Sequence, residues 1–136
     1  MSRWLWASAL LLVACGRNTP GIAEGTQPSE SVVVLRGGES AQVLGTPLRL
    51  TFRGVPVDFR CPSDVVCVSA GDATVEIAAV SRNSFSKLLL LHAYQPPHED
   101  EIAGYVVRLE GLEPLPRAGI RLPLEDYRVT LNVVAP

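Results

Sequence analysis

Two regions of this chain gather residue types that do chemistry. His92 and His98 lie beside Glu99, Asp100 and Glu101. Imidazole and carboxylate together hold transition metals, and carboxylate oxygens hold calcium. Pro96 and Pro97 break the stretch between the two histidines, however, and no ligand spacing is recognisable. The plainer expectation is a solvated acidic loop joining two strands. Asp58, Arg60 and Asp64 form the second group. In an extended chain, residues i and i+2 share a face. Asp58 and Arg60 are therefore expected to pair with each other or to tie down nearby backbone. The alternative is a ligand contact, in which the arginine fork grips a carboxylate or phosphate. Serines are numerous, but there is no G-x-S-x-G elbow, and two histidines give little choice for a triad. Neither a G-x-x-x-x-G-K-[ST] loop nor a G-x-G-x-x-G turn occurs. The expectation is a protein that is not an enzyme and takes no cofactor.

Cys15 has a different chemistry. A positive start, Arg3 after the amino terminus, precedes about ten apolar residues from Leu5 to Ala14. A bilayer-spanning helix needs roughly twenty, whereas a short apolar core followed by small residues fits a cleaved export signal. Leu12-Val13-Ala14-Cys15 resembles a lipobox. That resemblance implies diacylglycerol on the Cys15 sulfur, cleavage before Cys15 and acylation of the new amino group. Several acyl chains on one residue anchor stably, where a single chain binds only marginally. Gly16, rather than aspartate, after the cysteine would direct such a lipoprotein to the outer membrane in a diderm. The competing reading is an ordinary secretory signal with a chance cysteine.

With Cys15 assigned to lipid, Cys61 and Cys67 remain as a pair. In an oxidising envelope they are expected to bridge. A loop this short is worth about 2 kcal/mol in chain entropy, so the bridge pins a corner rather than the whole fold. A redox-active pair is disfavoured because the spacing is not C-x-x-C, and two thiolates alone lack the other ligands of a metal site.

The signal, residues 1–14, takes no part in the fold. Residues 15–31 are rich in Gly, Pro, Ser, Thr, Glu and Asn, and read as the lipidated cysteine and a flexible tether. The domain, residues 32–136, reads as all-β. Leu48, Leu50 and Phe52 alternate with Arg49, Thr51 and Arg53. The same period of two runs through Val75–Ala79, Tyr105–Leu109 and Tyr127–Val133, the mark of strands with one face on a core. Val32–Arg36 and Ser40–Leu44 are shorter candidates around the Gly37-Gly38 turn. The four leucines of Lys87–His92 read as a strand buried on both faces or covered by another element. About seven short strands punctuated by Gly and Pro predict a single antiparallel β-sandwich. Twelve basic against fourteen acidic residues, net −2, give no nucleic-acid footprint.

The stretch from Phe52 to Ala73 resembles a motif of uncharacterised bacterial lipoproteins and secreted proteins, roughly F-x-x-V-x-x-D-S-R-C-P-x-x-x-x-C-x-W-A-G-x-A. Those proteins commonly continue with Y-x-V-x-L-x-x-L-x-P-x-P and a final Y-x-x-x-L-x-V strand. Tyr105, Val107, Leu109, Leu112, Pro114 and Pro116 match the first of these, and Tyr127, Leu131 and Val133 the second. The likeness covers about Leu48 to Val134. It departs at Phe59, where serine is usual, and at Ser69, where tryptophan is usual. It implies a secreted β-rich module with a local disulfide and carries no established activity. The expected function is a non-catalytic envelope module, membrane-held through Cys15, that meets an envelope protein, glycan or small ligand. A metal-binding protein or small exported enzyme using His92–Glu101 is the alternative.

Overall fold

The computed structural model describes residues 28–83 and 85–136. The signal, Cys15 and most of the expected tether lie outside the described residues. Eight strands follow in order: β1 (Glu30–Arg36), β2 (Ser40–Gln42), β3 (Leu48–Asp58), β4 (Ala73–Ser81), β5 (Ser86–His92), β6 (Glu99–Ile102), β7 (Tyr105–Glu113) and β8 (Arg128–Val134). A 3-10 turn, Leu124–Asp126, precedes β8. The strands form two four-stranded antiparallel sheets, ordered β1-β8-β7-β6 and β2-β3-β4-β5. The chain is a β-sandwich.

The alternating apolar residues build the layer between the sheets. Leu48, Leu50 and Phe52 from β3 meet Val75, Ile77 and Ala79 from β4 and Leu89 and Leu91 from β5. Facing them are Leu35, Val107, Leu109, Val129, Leu131 and Val133 of the other sheet. Two antiparallel sheets with one apolar face each have this as their natural solution.

Three elements differ from the sequence reading. The leucine run is an edge strand: Leu89 and Leu91 are buried, but Leu88 and Leu90 are half-exposed on the outer face. Among the described residues no second element covers that face, so a continuous apolar run here does not mean burial on both sides. The acidic stretch expected as a loop contains a strand, β6. It forms because Ile102 is buried in the core while its charges find partners at the sheet edge. Glu99 pairs with Arg108 of β7 at 2.7 Å, and Asp100 pairs with Lys87 of β5 at 2.7 Å, bridging the two sheets. The Ser40–Leu44 candidate ends as a strand at Gln42. There the Gln42 amide donates to the Thr46 and Leu48 carbonyls and turns the chain, with Val43 buried and Leu44 exposed.

Strands β1, β3 and β7 all run toward one end of the sandwich. That end carries the Phe59–Asp72 loop, the Ala93–His98 segment and the Pro114–Tyr127 connection. The described chain enters β1 at the opposite end, beside the end of β8, where the Ala135 amide donates to the Ser29 carbonyl. Register shifts in β3 on either side of Gly54 bend its second half, as bulges do.

Candidate functional site

The loop between β3 and β4 rises on a paired stem. Phe59 N–H donates to the Asp72 carbonyl at 2.7 Å, and Cys61 N–H to the Ala70 carbonyl at 2.8 Å. Gly71 sits at φ +69°, and a Cβ there would run into the Phe59 carbonyl. Only glycine fits so close a backbone approach in that conformation. Above the stem the Cys61–Cys67 disulfide closes the loop, with Cα atoms 5.9 Å apart. The expected bridge is present.

Arg60 lies at the foot of this loop with only 2 % of its surface exposed. Its Nε donates to Asp58 Oδ1 at 2.8 Å and its Nη2 to Asp58 Oδ2 at 2.7 Å. Nη1 donates to the Leu112 carbonyl at 2.7 Å, and Nη2 again to the Pro114 carbonyl at 2.8 Å. The Tyr127 hydroxyl completes the group, donating to Asp58 Oδ2 at 2.9 Å. Four of the five guanidinium donors thus meet protein acceptors. The group ties the end of β3 to the end of β7 and the approach to β8, joining the two sheets at this end. This is the geometry of a staple, and it leaves little of the fork for a ligand.

The electrostatics agree with that role. Burial works to raise the Asp58 carboxyl, but the hydrogen bonds from Arg60 and Tyr127 and the guanidinium charge outweigh it and hold it below its ordinary value. Burial and the hydrogen bond to Asp58 push the Tyr127 phenol up to about 12, so the hydroxyl keeps its proton. Asp64 is an exposed counterpart. Its Oδ1 accepts from Ala118 N–H at 2.9 Å, which lowers its carboxyl. With Ser63 N–H donating to the Pro116 carbonyl at 2.9 Å, it fastens the disulfide loop against the Pro114–Ala118 segment.

What this scaffold displays is apolar. Val66 and Val68 are fully exposed, Phe59 is largely so, and Val65 is half-exposed. Leu115 and Ile120 are exposed on the neighbouring connection. Beside them lies an open cleft of ≈ 540 Å³, bounded by Gly54–Pro56, Glu76 and the Pro116–Leu124 segment, with Asp58 and Tyr127 among its walls.

The histidine and acidic group is dispersed rather than gathered. His92 Nδ1 meets Asp72 Oδ2 at 2.6 Å, and Asp72 also accepts from the Tyr94 amide at 2.9 Å. Burial works to raise the Asp72 carboxyl, but these bonds lower it. His98 Nδ1 donates to the His92 carbonyl at 3.0 Å. Glu99 and Asp100 are held by Arg108 and Lys87, and Glu101 is exposed, its carbonyl accepting from Lys87. Among the described residues, no three His, Cys, Asp or Glu side chains come together to hold a metal ion. Asp72 and Tyr127 are members of these side-chain groups that the sequence reading missed. Their partners lie 20 and 69 residues away, beyond the reach of any spacing rule.

Family models, curated proteins and solved structures were compared with the chain, and none matches it.

Proposed function

We propose that this chain is a lipid-anchored envelope protein of a bacterium, a non-catalytic binding module that engages its partner through the disulfide-closed loop. The export and lipid part of the reading rests on the Leu12–Cys15 sequence. The binding part rests on one observation: Val66 and Val68 stand fully in water on a loop that a disulfide, Arg60 and Asp64 hold rigid. Clustered apolar side chains without a core to fill mark interaction surfaces. Holding them in one shape beforehand reduces the ordering cost of binding.

Affinity capture from native envelopes tests this. The wild-type mature chain should retain a partner that Val66→Asp with Val68→Asp loses, while circular dichroism stays that of the wild type. Equal capture by the wild type and the double variant would refute the loop as the contact surface.

A further inference from the structure

Among the described residues, no strand pairs with the β1 edge of the β1-β8-β7-β6 sheet. The amide of Ala135 bonds the carbonyl of Ser29, and the amide of Gly37 bonds the carbonyl of Tyr127. Both bonds follow the register that pairs Val33 with Leu131. In an antiparallel ladder, hydrogen-bonded and non-hydrogen-bonded pairs alternate. The odd-numbered residues of β1 therefore bond β8, and the even-numbered ones turn their N–H and C=O groups outward. Arg36 confirms the phase: its outward amide donates to Glu39 Oε2 and its outward carbonyl accepts from Glu39 N–H. Val32 and Val34 have no such cap among the described residues. Their side chains are 68 % and 51 % exposed, and a groove of ≈ 450 Å³ runs beside them, bounded by Ser31–Val34, Gln42 and Leu44. A bare apolar edge of this length invites another strand, and natural proteins normally blunt such edges with charge, proline or cover.

The sequence of β1, Glu-Ser-Val-Val-Val-Leu-Arg, fits one strand in particular, which is itself run backwards. We infer that two copies of this chain pair through β1, antiparallel about a two-fold axis at Val33. In that register Val32 faces Val34 of the second copy, and Glu30 faces Arg36. The Val32–Val34 pairs join even-numbered residues whose outward N–H and C=O groups are uncapped among the described residues, so these close into ladder bonds, while at the Glu30–Arg36 pairs the Arg36 backbone groups stay with Glu39 and the side chains alone meet. Both side chains of the Glu30–Arg36 pair are exposed on the same outer face as the valines. Shifting the register by two residues either way puts a charged side chain opposite a valine. Self-complementarity of this kind is what a two-fold interface requires. The product is one continuous eight-stranded sheet with a disulfide loop at each end.

Sedimentation of the purified mature chain, with the detergent density-matched, tests the pairing. The wild type should sediment at twice the mass of one chain. Glu30→Arg alone and Arg36→Glu alone each set two like-charged pairs opposite one another, and should weaken dimerisation roughly tenfold or more. Combining the two restores opposite charges and should restore the dimer. Val34→Pro removes an outward N–H that β8 does not use, so the chain should stay folded by circular dichroism and sediment as a monomer. A monomeric wild type, or a dimer indifferent to the charge reversals, would overturn the inference.

Discussion

Arg60 is the residue on which the disulfide-loop end of this molecule turns. Its charge is buried and matched by Asp58 at two points, and removing one partner of such a pair leaves an uncompensated charge. Asp58→Ala should therefore cost about 3–5 kcal/mol, read as a fall in the urea midpoint with the strand signal retained before unfolding. The pair also predicts a pH dependence. The Asp58 carboxyl lies lower in the folded state than its ordinary 3.8. The stability it contributes is complete above that ordinary value and disappears as pH falls through the folded one. Asp58→Asn should flatten this acid limb of a stability-against-pH curve. Tyr127 acts at the other extreme. With its phenol raised from 10.0 to about 12, its contribution is complete below pH 10 and lost as pH rises through 12, a loss that Tyr127→Phe should abolish. The i, i+2 spacing made the Asp58–Arg60 pairing legible in the sequence. The carbonyls of Leu112 and Pro114 and the hydroxyl of Tyr127 were not, because they reach Arg60 and Asp58 only through the stacking of the two sheets.

Among the elements, stability and display are divided between the core strands and the loop. Phe52 is fully buried in the middle of β3, and Phe52→Ala should cost about 3–5 kcal/mol. The Cys61–Cys67 bridge closes only a short loop, so Cys61→Ala with Cys67→Ala should cost about 2 kcal/mol. Thermal unfolding of the two variants side by side should show that ordering, and the reverse ordering would mean the loop carries more of the fold than its packing suggests. Strands β3, β4, β7 and β8 were legible because their apolar residues repeat every second position and one face meets the core. Strand β6 was not legible. Three of its four residues are acidic, and it is made a strand by Ile102 and by the cations of β5 and β7 rather than by its own pattern. The outer face of β5 was misread for the opposite reason: four leucines satisfy a buried-strand pattern although Leu88 and Leu90 face outward.

For the molecule as a whole, an anchor read from sequence is proposed to hold a sandwich with two distinguishable ends. Cys15→Ser should leave an unlipidated precursor, and fractionation of cells should no longer recover a processed, membrane-bound form. Recovery of that processed form with membranes would show that no lipid on Cys15 anchors the chain. The exposed valines were present in the sequence as ordinary apolar residues. Their exposure was hidden because nothing in Val65-Val66-Cys67-Val68 shows that a disulfide and a buried arginine hold them outside the core. The most direct measurement is photocrosslinking in intact cells, with a photoreactive side chain at Val68 in one strain and at Phe85, exposed near the opposite end, in another. A discrete adduct to a second envelope component is expected from position 68 and none from position 85. No adduct at position 68, or the same adduct from both positions, would contradict it.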